Sequence, residues 1–181
     1  MNSPVRALMI GLLLLAAATP AAAAAERSPV KIAFVDTGAT GRSVAAEALA
    51  DAAVKRGLSP VLAIARAVDL DPFETRPEAE VARLLSRRGL DVSAHRAQAL
   101  TADDVRHASL ILTMTARHRA IVIARFPDAA GKTFLLADYA AGEATDIADA
   151  KGEPPSVYRA MLGQLDRYVP MALVRALATK P

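Results

Sequence analysis

The sequence contains no cysteine and no tryptophan among its 181 residues. Without cysteine the chain cannot form disulfides, so its hydrophobic core has to stabilise the fold unaided. The same absence rules out a lipoprotein anchor, which needs a cysteine, and a thiolate nucleophile. Cysteine-dependent catalysis is therefore excluded.

Aromatic residues and concentrated positive charge are also scarce. Only 4% of the residues are aromatic, and the 22 basic and 19 acidic residues are spread along the chain without a basic block. A nucleic-acid-binding protein usually shows a basic face or stacking aromatics, so we expect no nucleic-acid partner. With 53% apolar residues, the chain is long enough for one well-buried domain and too short for two ordinary ones.

Residues 1–25 have the pattern of a secretory signal peptide. Arg6 precedes an apolar run at 7–18, and the small residues that follow offer several A-x-A cleavage sites. The stretch 7–25 is also just long enough to span a bilayer, but Pro20 and the alanine-rich second half favour cleavage over a retained anchor. We therefore expect an exported protein, periplasmic or secreted, whose domain covers 26–181 and touches the membrane only if the leader is retained.

Beyond the leader, strand-like apolar runs alternate with helical patterns. The sequence predicts strands at 30–36, 60–68, 109–114 and 132–137, and helices at 43–57, 73–89, 101–108, 115–126 and from Pro154 onward. Pro170 is expected to bend or break the last helix. This alternation predicts an α/β fold, a doubly wound four-stranded parallel sheet with helices on both faces. Its ligand site should lie at the carboxyl ends of the strands.

The stretch FVDTGATGRS at 34–43 joins the first strand to the first helix. Gly38 and Gly41 allow backbone conformations in which several N–H groups point inward. The positive end of the helix and the guanidinium of Arg42 would add to that field. The loop therefore suits phosphate, a phosphorylated ligand or another oxyanion, although an ordinary tight turn with an exposed arginine also explains its glycines.

The segment VDTGATGRSVAAE resembles the signature loop of the low-molecular-weight protein tyrosine phosphatases. Three further segments are similar to that family in the same order, at 89–105, 108–140 and 146–152. The resemblance covers the whole chain after the leader and implies the family's phosphatase-I type of fold.

The resemblance implies a role for each matched position. Arg42 matches the phosphate-binding arginine, Ser43 the serine that supports the nucleophile, and Asp149 the general acid. The loop that would bind phosphate consists of Thr37, Gly38, Ala39, Thr40, Gly41, Arg42 and Ser43. Asp36 stands where the family has its cysteine nucleophile. Four other positions depart from the family pattern, namely Ala39 for asparagine, Gly41 for cysteine, Val44 for proline and Ala150 for proline.

A carboxylate in place of the thiolate leaves three hypotheses open. The leading one is a pseudophosphatase that binds an anion or a partner. The second is an active phosphatase in which Asp36 attacks phosphorus or activates water and Asp149 is the acid. Aspartate-based phosphatases of another superfamily use Mg²⁺ held by a second aspartate in D-x-D, but that position here is Gly38, so we expect no cofactor. The third is a scaffold whose pocket is closed by an Asp36–Arg42 ion pair.

The remaining polar residues have ordinary explanations. The three histidines, His95, His107 and His118, lack metal-ligand spacing, so we expect no metal and assign them surface or structural roles. His95 and Arg96 match a family pair with a structural role. Tyr139 and Tyr158 are interpreted as packing residues and Asp146 as solvated. The sequence leaves open whether Arg66 and Arg76 border a cleft.

Overall fold

The computed structural model describes residues 28–58 and 60–179, so the predicted leader at 1–25 lies outside the described residues. Four parallel strands form one sheet in the order β2-β1-β3-β4. They are β1 Val30–Asp36, β2 Val61–Ala67, β3 Leu110–Thr113 and β4 Thr133–Leu135. In this register Phe34 lies opposite Ala65 on one side and Leu112 on the other. The predicted four-stranded parallel sheet is confirmed.

Helices cover both faces of the sheet, because side chains alternate between its faces along each strand. On β1, Ile32 and Phe34 belong to one buried cluster, while Ala33 and Val35 belong to the other. The helices are α1 Arg42–Lys55, α2 Ala79–Ser86, α3 Ala102–His107, α4 Ala116–Arg125, α5 Leu136–Ala141 and α6 Pro155–Thr179, with a 3₁₀ turn at Pro127–Lys132. The larger cluster includes residues of α1, α2, α5 and α6, and the smaller includes residues of α3 and α4. This is the doubly wound arrangement that the sequence predicts.

The largest boundary differences from the prediction concern one helix and one strand. The helix expected at 73–89 begins only at Ala79, because Pro77 disfavours helical backbone at the residue before it. The strand expected at 132–137 ends at Leu135, and the chain turns at once into α5. Within the described part of the chain, none of the helices is long and apolar enough to cross a membrane.

Pro170 does not break the final helix, so the expectation of a break was wrong. Helix α6 is continuous from Pro155 to Thr179 with Pro170 inside it. A proline within a helix costs about 3 kcal/mol. Its neighbours Val169, Ala172 and Leu173 are fully buried in the larger cluster, and their packing offsets that cost.

Candidate functional site

The loop between β1 and α1 lies at the centre of the sheet edge. Strand β1 is flanked by β2 and β3, and the order of the strands reverses there, which is where open α/β sheets hold their ligands. Two backbone hydrogen bonds fix the start of the loop. The N–H of Val68 donates to the carbonyl of Asp36 at 3.0 Å, and that of Asp69 to the carbonyl of Thr37 at 2.8 Å.

Asp36 is buried at the base of this loop, with 3% of its surface exposed. Its Oδ1 accepts the N–H of Ala39 at 2.7 Å, and its Oδ2 accepts the N–H of Ser43 at 2.9 Å. Both carboxylate oxygens are therefore held by the loop that follows Asp36 in the sequence, and the side chain is fixed in orientation.

Four other N–H groups of the loop are left without an acceptor in the described part of the chain. No described residue accepts a hydrogen bond from the backbone N–H of Gly38, Thr40, Gly41 or Arg42. Because α1 begins at Arg42, these donors lie at or just before the positive end of its dipole. They are the donors available to an anion.

Arg42 is nearly buried and is paired with Asp149. Its Nη2 lies 2.9 Å from Asp149 Oδ2, and its Nη1 donates to the carbonyl of Ile147 at 3.3 Å. The side chain of Asp149 is 61% exposed and that of Arg42 only 7%. The hypothetical Asp36–Arg42 pair is not among the ion pairs of the described residues. That idea was wrong because Asp36 is satisfied by nearer backbone N–H groups.

A cavity of about 270 Å³ opens at the loop. Its wall contains six carboxylate side chains and only two basic ones, Arg42 and Lys151. The carboxylates belong to Asp36, Asp69, Asp71, Glu74, Glu78 and Asp149. Both basic groups are already paired, Arg42 with Asp149 and Lys151 with Glu74. The lining is therefore strongly acidic, in contrast to the small positive charge of the whole chain.

Glu78 forms one wall of the cavity and explains the glycine at position 41. The hydroxyl of Tyr158 donates to Glu78 Oε2 at 2.8 Å, and a Cβ atom on Gly41 would lie 2.6 Å from Glu78 Oε1. Burial raises the pKa of Glu78. Burial and the Glu78 hydrogen bond together raise the pKa of Tyr158 to about 12. A side chain at position 41 would force the carboxylate of Glu78 to shift.

Ala39 is held in a left-handed conformation with φ of 54°. This backbone costs a non-glycine residue about 1–2 kcal/mol, and hydrogen bonds on both sides maintain it. Its N–H donates to Asp36, and its carbonyl accepts from His95 Nε2 at 2.9 Å. His95 Nδ1 lies 3.4 Å from Glu47 Oε2, so His95 connects the loop to α1.

The stability contributed by His95 should depend on pH. Its hydrogen bond with Glu47 is the main cause of a raised pKa. A folded pKa above the unfolded value of about 6.5 stabilises the fold below that pH, and the contribution is lost as pH rises through the folded pKa. We expect the difference in unfolding free energy between wild type and His95→Gln to be larger at about pH 6 than at about pH 9. Denaturant unfolding at both pH values measures it, with the exposed His107→Gln as control. A difference that stays constant with pH would contradict it.

His118 is buried beside the loop. The sequence did not predict this position, because the spacing of the three histidines carries no signal for it. It is 5% exposed, and its Nε2 lies 3.0 Å from Thr37 Oγ1. Its Nδ1 has no hydrogen-bond partner among the described residues. Burial, and then the charge of Arg42, lower the pKa of its imidazole. The only sequence signal was indirect: α4 follows β3, the neighbour of β1, at the same edge of the sheet.

The other candidate residues divide between the cavity and the rest of the surface. Arg66 makes two hydrogen bonds to Asp104, whereas Arg76 lines a neighbouring cavity of about 400 Å³ together with Phe73, which is 95% exposed.

The two tyrosines that were interpreted as packing residues do pack within the protein. Tyr158 is buried, and the ring of Tyr139 lies 5.4 Å from that of Phe134. Asp146 accepts the N–H of Ala116 where α4 begins. Within the described ranges no group of three or more histidine or acidic side chains is arranged to hold a metal.

The chain is similar to known phosphatases over most of its length. The sequence profile of the family "low molecular weight phosphotyrosine protein phosphatase" matches residues 31–180. A protein-arginine-phosphatase of Geobacillus stearothermophilus is 33% identical over 141 residues, which cover 78% of this chain and 92% of the relative. The solved structure of the arginine phosphatase YwlE from that species gives a TM-score of 0.75 at 30% identity, covering 83% of this chain and 94% of the other. Another solved structure, a cysteine-to-serine mutant of a YwlE arginine phosphatase with a phosphorylated active-site serine, gives 0.78 at 25% identity, covering 83% and 97%.

Proposed function

Because the chain belongs to the low molecular weight phosphotyrosine protein phosphatase family, we propose that it is a pseudophosphatase, a member that binds a phosphoryl group in its loop without hydrolysing it. One observation carries this proposal. Asp36 stands at the position of the nucleophile, and the loop's own N–H groups hold both of its oxygens.

Two features argue against turnover. A carboxylate is a much weaker nucleophile than a thiolate, and each oxygen of Asp36 already accepts a hydrogen bond that an attack on phosphorus would weaken. Asp149, at the position of the general acid, accepts a hydrogen bond from Arg42. It would have to leave that contact and take up a proton before it could protonate a leaving group. The residues at the nucleophile and general-acid positions, Asp36 and Asp149, are therefore both held by hydrogen bonds within the protein.

Retention of binding is supported by the donors that remain. Four backbone N–H groups have no acceptor among the residues that the structure describes, and they stand at the positive end of the 14-residue helix α1. Such an arrangement of backbone donors favours an oxyanion. Arg42 would add two more donors by exchanging exposed Asp149 for the ligand.

The acidic lining of the cavity favours a ligand that also carries positive charge. At about 4 Å and an effective dielectric near 20, each carboxylate repels each unit of phosphate charge by roughly 4 kcal/mol. A phosphorylated arginine carries a guanidinium group next to the phosphoryl group, which offsets part of this repulsion. Relatives of the chain are named protein-arginine-phosphatases. We therefore propose phosphorylated arginine as the ligand class.

We further propose that this binding takes place outside the cytoplasm. The leader expected at 1–25 supports export, and the absence of cysteine suits an oxidising compartment, where a reactive thiolate would be oxidised.

Phosphoarginine should raise the melting temperature of the full-length chain, and Arg42→Ala should abolish the rise. At a ligand concentration of about 100 times Kd, binding adds about 2.7 kcal/mol. This corresponds to a rise of roughly 5–10 °C for a domain of this size. Thermal unfolding with and without phosphoarginine, inorganic phosphate or vanadate measures the effect, and Arg56→Ala, an exposed arginine at the end of α1, is the matched control.

The comparison uses the rise within each variant, because Arg42→Ala also removes the ion pair with Asp149. If neither phosphoarginine nor any oxyanion raises the melting temperature of the wild type, the chain is a scaffold and the proposal fails. A rise that survives in Arg42→Ala would place the binding site elsewhere.

A further inference from the structure

Thr37 and His118 form a hydroxyl–imidazole pair at the wall of the cavity. Thr37 is exposed and lines the cavity beside Gly38. Its Oγ1 lies 3.0 Å from Nε2 of His118, which is buried. A nucleophile and a base within hydrogen-bond reach of one another are the basic components of nucleophilic catalysis.

The surroundings of His118 favour the neutral form of its imidazole by lowering its pKa. Burial is the largest influence on its pKa and Arg42 the second, and both lower it. The carboxylates of Asp36, Asp149 and Asp146 act in the opposite direction, more weakly. In the neutral tautomer with the proton on Nδ1, Nε2 accepts the hydrogen bond of the Thr37 hydroxyl. His118 is then able to take up that proton.

Thr37 is better placed than Asp36 to react with a bound phosphoryl group. Both oxygens of Asp36 are held by N–H groups, and its side chain is buried. Thr37 is an exposed residue that lines the cavity, and the N–H of its neighbour Gly38 has no acceptor among the described residues. The Thr37 hydroxyl also carries no charge, so it does not repel the phosphoryl group.

We propose that Thr37 is a phosphoryl-accepting site whose hydroxyl, with His118 as base, takes the phosphoryl group from an N-phosphorylated guanidine bound in the loop. This rests on the proposed function, which supplies the bound ligand. In the step, a bond forms between Thr37 Oγ1 and phosphorus while the P–N bond breaks. The hydroxyl proton moves to His118 Nε2 and then to the departing guanidine nitrogen, so no net proton is released and nothing is oxidised or reduced.

The reaction stops after one transfer per chain. Hydrolysis of the phosphothreonine would have to expel a threonine alkoxide, a poor leaving group. The product is therefore a stable phosphothreonine whose phosphoryl group fills the loop.

Incubation of the full-length chain with phosphoarginine tests this directly, with intact-protein mass spectrometry and peptide mapping as readouts. We expect one phosphoryl group per chain, on Thr37, that withstands hydroxylamine. Thr37→Val should abolish the modification and Thr37→Ser should retain it. His118→Gln should slow it by about a hundredfold, as expected for loss of a general base. Thr145→Val and His107→Gln, both at exposed positions, are the matched controls.

Three outcomes would overturn the inference. An unmodified Thr37 in a chain whose melting temperature phosphoarginine raises removes this inference alone. No rise in melting temperature removes both this inference and the proposed function. A hydroxylamine-sensitive phosphoryl group on Asp36 would make that aspartate the nucleophile. Thr37 is exposed, so Thr37→Val remains decisive even if the buried His118 does not tolerate substitution.

Discussion

Replacing Asp36 with cysteine should turn the chain into a working phosphatase. The new thiolate would accept hydrogen bonds from the N–H groups of Ala39 and Ser43, which now hold the carboxylate. These donors, together with the helix dipole of α1, would lower its pKa and keep it ionised. We expect steady hydrolysis of para-nitrophenyl phosphate on the order of 10³-fold above the wild type. This is less than the roughly 10⁶-fold effect of removing a nucleophile in an optimised enzyme, because Arg42 and Asp149 must first separate.

The wild type should release no more than one equivalent of nitrophenolate per chain. Adding Asp149→Asn to the Asp36→Cys variant should lower its rate by about a hundredfold, the typical contribution of a general acid. Sustained turnover in the wild type that Asp36→Asn abolishes would show that Asp36 is catalytic. If Asp36→Cys is also inactive, the loop does not hold a phosphoryl group in a reactive position.

The second large effect should come from Asp36→Asn, which we expect to bind inorganic phosphate at least tenfold more tightly than the wild type. The substitution removes a charge that repels phosphate by roughly 4 kcal/mol per unit at about 4 Å. At the same time an asparagine has only one oxygen, so the N–H of Ala39 or of Ser43 loses its acceptor. We expect the free protein to lose about 1–3 kcal/mol of stability.

Calorimetric titration with inorganic phosphate and denaturant unfolding measure the two effects separately. A rise in phosphate affinity together with a fall in the free energy of unfolding distinguishes relief of repulsion from a general change in folding. Asp128→Asn, an exposed aspartate in the 3₁₀ turn, is the matched control and should change neither quantity. Unchanged or weaker phosphate binding in Asp36→Asn would mean that the carboxylate does not act on the anion site.

The fold could be predicted because its signals are local. The alternation of apolar runs and helical patterns is enough to give the parallel sheet and the order of its elements. The loop was recognisable because its glycines, Arg42 and the start of α1 are adjacent in the chain. The two main errors both concern prolines. The late start of α2 at Ala79 follows from a local effect of Pro77 that the prediction overlooked, whereas the continuity of α6 through Pro170 depends on packing with distant residues.

The interior of the site was less predictable because its partners are distant in sequence. Arg42 and Asp149 are separated by 107 positions. Arg42 pairs with this distant aspartate and not with Asp36, the partner that the sequence suggested. The acidic wall combines residues of several loops, so a net charge of +3 over the whole chain gave no sign of it. The contact between Thr37 and His118 likewise depends on how β1 and β3 lie side by side.

Titration of the full-length wild type with phosphoarginine in a calorimeter, followed by an assay of inorganic phosphate in the cell, tests the central claim most directly. Binding without hydrolysis predicts a saturable heat with one ligand per chain and no inorganic phosphate. Continuous release of phosphate would show an enzyme, and the absence of a binding heat would show that the loop has lost its ligand.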